Sequence, residues 1–220
     1  MDLLYTFPQR INSRASGELE LDWGGGDPFR GSADIAVNDA TAFPQTVPGA
    51  FSAEECVAIV QLGAARIRQR ATVDDRSDLA SRDYRVSDIA WIDPAPDAHW
   101  LYHRLAVLFG HANAAYGFDI RGFVEPLQFT SYGAGQYFGW HVDIGAGQTS
   151  ARKLSLTIQL AQASDYEGGE LRFHGAPGVP EARQQGAATF FPSFLAHEVT
   201  PVTRGLRRSL VAWAYGPAFR

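Results

Sequence analysis

From Phe123 onward the chain is written with a period of two, and that pattern limits what it can fold into. Six short runs, 123–132, 138–143, 153–161, 169–174, 187–191 and 207–215, are rich in β-branched and aromatic residues and divided by glycine-containing breaks. Glu167-Gly168-Gly169-Glu170 reads as a tight turn between two of them. Two helices precede the strands. Ser52 and Glu55 form a capping box, and Cys56, Ile59, Val60, Gly63 and Ile67 follow on one helical face. A second helix starts after Asp97, with Leu101, Leu105, Leu108 and Ala112 on one stripe and Gly117 beyond its end. This order predicts a mainly β chain of the α+β class, with helices flanking an antiparallel barrel or sandwich. Residues 1–45, punctuated by Gly24-Gly25-Gly26 and Asp27-Pro28, read as an N-terminal extension with a short hairpin. Residues 46–122 then form the helical support, and 123–220 the β domain.

Composition narrows the class. The 220 residues are 45% hydrophobic and 20% charged, enough to bury a sizeable core. With 24 acidic against 19 basic residues the net charge is −5, and no basic stripe is present, which argues against a nucleic-acid partner. No apolar run is long enough to span a membrane, and the first residues lack a basic-then-apolar signal layout. A single cysteine, Cys56, rules out an internal disulfide framework and fits a reducing compartment, so a cytoplasmic protein is expected.

The chemistry lies in the strands. His141 and Asp143 are two apart, so on a strand both point to one face. His197 must be brought beside them from another strand. Two neutral imidazoles and one carboxylate hold Fe(II) from one side and leave three positions open. 2-Oxoglutarate can fill two of these, leaving the third for O₂, and its decarboxylation to succinate and CO₂ drives attack on an unactivated C–H bond. A zinc hydrolase can use the same three ligands. It has no need of an arginine and a serine on the strand after His197. Arg207, Ser209, Val211 and Trp213 share a strand face, and Arg207 can hold the far carboxylate of the co-substrate bidentately, with Ser209 adding a hydroxyl. By the same parity Arg208 points away, and Arg204 sits in a turn before Gly205. Gln128, Thr130 and Tyr132 alternate on the strand leading to the site, and Gln128 and Tyr132 are placed for co-substrate hydrogen bonds. Ser155, Thr157 and Gln159 line one face of the next strand in the same way, with Gln159 a further candidate co-substrate contact.

Glu125-Pro-Leu-Gln128-Phe-Thr-Ser-Tyr132-Gly-Ala-Gly135-Gln136-Tyr-Phe-Gly-Trp-His141-Val-Asp143 resembles the metal-strand region of prolyl 4-hydroxylases. Arg152 to Ser155, Glu167 to Leu171 and Phe191 to Arg207 extend the likeness, which spans residues 50–220 and is strongest after 123. The resemblance implies a double-stranded β-helix (a jelly roll) with the N-terminal helices packed on it, Fe(II), 2-oxoglutarate and ascorbate as reductant. It implies His141, Asp143 and His197 as iron ligands, and Tyr132 and Arg207 as 2-oxoglutarate contacts. Collagen-type members often carry lysine where this chain has Arg207. Gln159 stands where many members place a tyrosine on the co-substrate, and Phe138 and Trp140 precede His141 where relatives often have a substrate-facing tyrosine.

On this reading the chain is a 2-oxoglutarate-dependent dioxygenase whose prime substrate is a prolyl residue of a protein or peptide, or a small metabolite such as a free amino acid. A jelly-roll module that binds metal without turnover is the alternative from another class. A long loop over the site favours a peptide and a closed aromatic pocket a small molecule; residues 70–85 or 144–152 are the candidate lids. His174, His99, His103 and His111 have no partner spacing and are given no catalytic role. The cluster Arg82, Asp83, Tyr84 and Arg85 reads as a solvated face rather than a substrate rim.

Overall fold

The computed structural model describes residues 9–13, 19–22, 24–28, 37–71 and 84–219, and it divides into two units, Met1–Asn38 and Asp39–Arg220. In the first, β1 (Arg10–Ser13) and β2 (Leu19–Asp22) pair antiparallel, which is the expected short hairpin.

The second unit holds both helices and the remaining strands. β3 (Gln45–Val47) precedes α1 (Ala53–Ala64), and β4 (Gln69–Arg70), β5 (Arg85–Val86) and β6 (Asp88–Ile92) precede α2 (His99–Tyr116). Then come β7 (Leu127–Tyr132), β8 (Tyr137–His141), β9 (Arg152–Gln159), β10 (Tyr166–Gly168) and β11 (Leu171–Phe173). β12 (Ala188–Pro192), β13 (His197–Val199), β14 (Val202–Gly205) and β15 (Arg207–Tyr215) complete it. Seven strands form one antiparallel sheet in the order β3-β12-β9-β15-β7-β6-β4, four form a second in the order β11-β13-β8-β5, and β10 pairs with β14.

The large sheet has two unlike faces, because side chains alternate along each strand. Leu154, Leu156 and Ile158 of β9 and Leu210, Ala212 and Ala214 of β15 share a core with Cys56 and Ile59 of α1 and Leu101, Leu105, Phe109 and Ala112 of α2. The intervening residues look the other way, and of these Thr157, Ser209, Val211 and Trp213 line a cavity shared with the small sheet. α1 starts at Ser52, whose hydroxyl accepts from the Glu55 N–H while the Glu55 carboxylate accepts from the Ser52 N–H, the expected capping box. α2 has no side-chain cap, because its N-cap residue is Ala98; Asp97, one position earlier, pairs with Arg66 at 3.0 Å. It ends at Gly117, whose φ of 70° is the left-handed cap. Cys56 is fully buried, and burial pushes its thiol up to about 11, so it is a packing residue.

Several expectations shift. Ile67 lies beyond the end of α1 and is 85% exposed. Leu108 is only partly buried, and the core position is Phe109, which meets Phe190 edge-on at 5.3 Å and Phe123 at 5.4 Å. A stripe stepping by four residues from Leu101 and Leu105 lands on 109, which the smaller leucine beside it obscured in the sequence. Pairing of the 123–132 run starts only at Leu127, just after Pro126, which has no N–H to give a ladder. The Glu167–Glu170 turn has Gly168 and Gly169 both at positive φ, but it is no hairpin: β10 and β11 pair with different partners, so the turn carries the chain from one sheet to the other.

α1 approaches β7 through Gly63, where an added Cβ would stand 2.3 Å from the Phe129 ring. Gly63→Ala therefore forces helix and strand apart and should destabilise the protein by about 1–3 kcal/mol, read as a lower midpoint in urea unfolding.

Candidate metal centre

β13 pairs with β8 so that His197 lies directly opposite His141, and an irregularity in that ladder follows before Val199 meets Phe138. The two imidazoles come within 4.1 Å between ring centres. Asp143 closes the group: its Oδ1 is 3.8 Å from His141 Nε2 and its Oδ2 3.8 Å from His197 Nε2. One ligand atom from each residue falls within 4.8 Å of the others, the arrangement needed to hold a single ion. Asp143 is not on the strand, which ends at His141. It sits in the bend that follows, where its N–H donates to the Ser193 carbonyl at 2.8 Å.

Neighbouring groups aim all three. His141 Nδ1 meets the Gly139 carbonyl at 2.8 Å and His197 Nδ1 the Leu195 carbonyl at 2.9 Å. A carbonyl only accepts, so each Nδ1 carries the proton and each Nε2 keeps its lone pair. Burial, with His197 alongside, pushes His141 down to about 3, so it is neutral at ordinary pH. Burial opposes ionisation of Asp143, whereas the Ser155 hydroxyl and Arg152 favour it, and the carboxyl is held below its usual range. The Ser155 hydroxyl donates to Asp143 Oδ2 at 2.6 Å and also meets Ser193 Oγ at 3.0 Å. Arg152 donates to the Asp143 carbonyl at 2.9 Å, pairs with Glu125 and lies 3.9 Å over the Trp213 ring.

The three residues open onto a cavity of about 500 Å³ walled by both sheets, and Arg207, Ser209, Tyr132, Gln128 and Thr157 line it as their strand parity required. Arg207 is 2% exposed. Its guanidinium lies 5.6 Å from the Tyr132 ring and 3.4 Å from Ser209 Oγ, and among the described residues no carboxylate is within ion-pair distance. A buried cation without a counter-charge is costly, so the position suits an anion from outside, as a dicarboxylate co-substrate would supply. Arg204 instead pairs with Glu167 at 2.9 Å on the surface. Gln159 is buried beside Arg207 in an adjoining cavity of about 680 Å³ that contains none of the three candidate ligands. Its Nε2 donates to the Ala161 carbonyl at 3.0 Å and its Oε1 has no partner, so as oriented it offers that space an acceptor rather than a donor.

Other expectations divide. His174, His99, His103 and His111 are exposed and are not part of the ligand group. Residues Gly147–Ala151 form a 3-10 turn, and Ile144, Gly145 and Thr149 reach the cavity mouth. Residues 72–83, which include Arg82, Asp83 and most of the other candidate lid, lie outside the described residues. Arg85 is not on a solvated face. It is half-buried and lines the metal cavity, where it takes the Gln128 carbonyl that was expected to serve the co-substrate. The missed signal was its parity with Ser87, which makes the alternate residues 85 and 87 face one way.

Comparison with known proteins bears on this centre. Residues 127–215 match the model of the 2OG-Fe(II) oxygenase superfamily. A PKHD-type hydroxylase of Paracoccus denitrificans (strain Pd 1222) is 30% identical over 178 residues, covering 77% of this chain and 76% of that protein. Another, of Caulobacter sp. (strain K31), is 40% identical over 100 residues, covering 42% and 44%. Among solved structures, a prolyl-4-hydroxylase of Pseudomonas putida is similar at a TM-score of 0.63 and 22% identity, over 82% of this chain and 96% of that one. A prolyl hydroxylase from Trichoplax adhaerens, solved with a hypoxia inducible factor oxygen degradation domain peptide fragment, is similar at 0.65 and 16%, over 81% and 86%. The structural likeness identifies the fold as the expected double-stranded β-helix. With these relatives, and with a His-Asp-His group inside the matched region, the chain belongs to the 2OG-Fe(II) oxygenase superfamily.

Proposed function

We propose that the chain is an Fe(II)- and 2-oxoglutarate-dependent hydroxylase acting on an unactivated C–H bond, with a prolyl residue of a protein or peptide as its prime substrate and succinate and CO₂ as co-products. The observation that carries the reading is Arg207, a buried guanidinium without a carboxylate among the described residues, in one cavity with two imidazoles and a carboxylate. His141, Asp143 and His197 would hold the iron, and Arg207, Ser209 and Tyr132 the co-substrate. Bound iron and 2-oxoglutarate would supply the oxidising power. The chain's own part is to keep both Nε2 lone pairs free, hold Asp143 ionised and present Arg207 from a dry wall. Resemblance adds ascorbate as reductant, and the single buried cysteine fits a cytoplasmic setting. No helix among the described residues is long and apolar enough to cross a membrane. Residues 46–220 form the catalytic domain on this reading.

The test is succinate formation from Fe(II), 2-oxoglutarate and O₂. Asp143→Ala should abolish it together with iron binding. Arg207→Ala should raise the KM for 2-oxoglutarate by roughly 30-fold or more while Mn(II) affinity holds. Turnover surviving the first change, or an unmoved KM in the second, counts against the assignment. Ser155→Ala, which strips Asp143 Oδ2 of its donor, should weaken Mn(II) binding about 10–100-fold in calorimetry with the circular dichroism spectrum unchanged.

A further inference from the structure

Arg85 occupies the metal cavity, and the oxygenase reading does not use it. β5 pairs with β8 so that Arg85 lies opposite Phe138, and its guanidinium sits 4.5 Å over that ring, which itself stacks on His141 at 3.5 Å. Its Nε donates to Ser87 Oγ at 3.0 Å and one terminal nitrogen to Gln128 Oε1 at 2.5 Å. Both are neutral acceptors; the Tyr132 hydroxyl is a further partner, and the charge of Asp143 also acts on Arg85. Among the described residues no carboxylate stands within ion-pair distance of it.

Charge balance isolates this residue. A ferrous ion, ionised Asp143, doubly ionised 2-oxoglutarate and Arg207 cancel one another, and Arg152 is neutralised by Glu125 at 2.5 Å. Arg85 is then the cavity's one surplus cation among the described residues. Burial already pulls its pKa below the usual arginine value. An uncompensated charge in such a place is destabilising unless a partner arrives. Trp91, Phe138 and Trp213 line the same cavity, with the two tryptophan rings 6.5 Å apart, so the cation is set among aromatic walls rather than further free cations. A single planar fork in that setting suits one carboxylate better than a phosphate, which draws several cations.

We propose that Arg85 binds a carboxylate of the prime substrate, so that the molecules hydroxylated here carry that group near the reacting C–H bond. This rests on the oxygenase reading and names its substrate class. The carboxylate could come from a small acid, a peptide C-terminus or an acidic side chain.

The experiment titrates the Mn(II)- and 2-oxoglutarate-loaded protein without oxygen and follows tryptophan fluorescence. Its probes are N-acetylproline against N-acetylprolinamide, Ala-Ala-Pro against its amide, and an amidated Pro-Glu peptide against Pro-Gln. At least one acid should bind roughly tenfold or more tightly than its neutral partner, and the pair that does so identifies the source. Arg85→Gln should erase the preference, Arg85→Lys should keep part of it, and the loss for the acid should exceed any change in 2-oxoglutarate affinity that follows from the contacts of Arg85 with Gln128 and Tyr132. The proposal fails if no acid is preferred, if the preference survives Arg85→Gln, or if that change weakens 2-oxoglutarate instead. Succinate formation by the unaltered protein separates the two readings. Its absence sinks the oxygenase assignment, whereas its presence without an acid preference sinks only the role of Arg85.

Discussion

The whole site depends on a sheet whose two faces do different chemistry. Every residue of β9 and β7 is buried, yet alternate side chains enter an aliphatic core or a polar cavity. Leu154, Leu156 and Ile158 hold the strand against the helices while Thr157 lines the cavity and Ser155 meets Asp143. The hydrophobic burial that stabilises the fold thereby fixes where the polar groups stand, to within the flexibility of a packed core. A slip of one residue in either strand would turn serine and threonine into the core and leucines toward the cavity.

On that platform the smaller sheet contributes its register. Setting His197 opposite His141 brings together residues far apart in sequence, and the Gly139 and Leu195 carbonyls settle which ring nitrogen faces inward. The aspartate is held by a different device. Its main chain is tied to Ser193 and Arg152 and its carboxylate to Ser155, so β9, the end of β12 and the bend after β8 meet at one residue. Three anchors on separate segments define its orientation better than a strand end alone would.

Much of this was legible beforehand, for physical reasons. Strand parity is a local property, so the inward direction of Arg207, Ser209, Tyr132 and Gln128 followed from their spacing alone. The spacing of His141 and Asp143 pointed to the right pair although the strand stops between them. Where the reading failed, the deciding partner was distant. Gln128 faces the cavity as expected, but its acceptor belongs to Arg85, 43 residues earlier and on a strand of two residues. Flanked by Arg82 and Asp83, Arg85 looked like part of a wet surface. Ile67 and Leu108 show the same limit in the helices: periodicity finds a stripe, but the helix end and the larger neighbour decide which residue enters the core.

The crossing at Gly168 and Gly169 also bears on the guanidinium. A Cβ on Gly169 would stand 3.0 Å from Cδ of Arg207 and 2.9 Å from Val202, and one on Gly168 would run into the Pro201 carbonyl at 2.2 Å. The bare backbone there is the room in which the arginine lies extended. Anyone stiffening that corner to make a hardier protein would press on the side chain proposed to grip the co-substrate, trading durability for that grip at a spot with no reacting atom of its own.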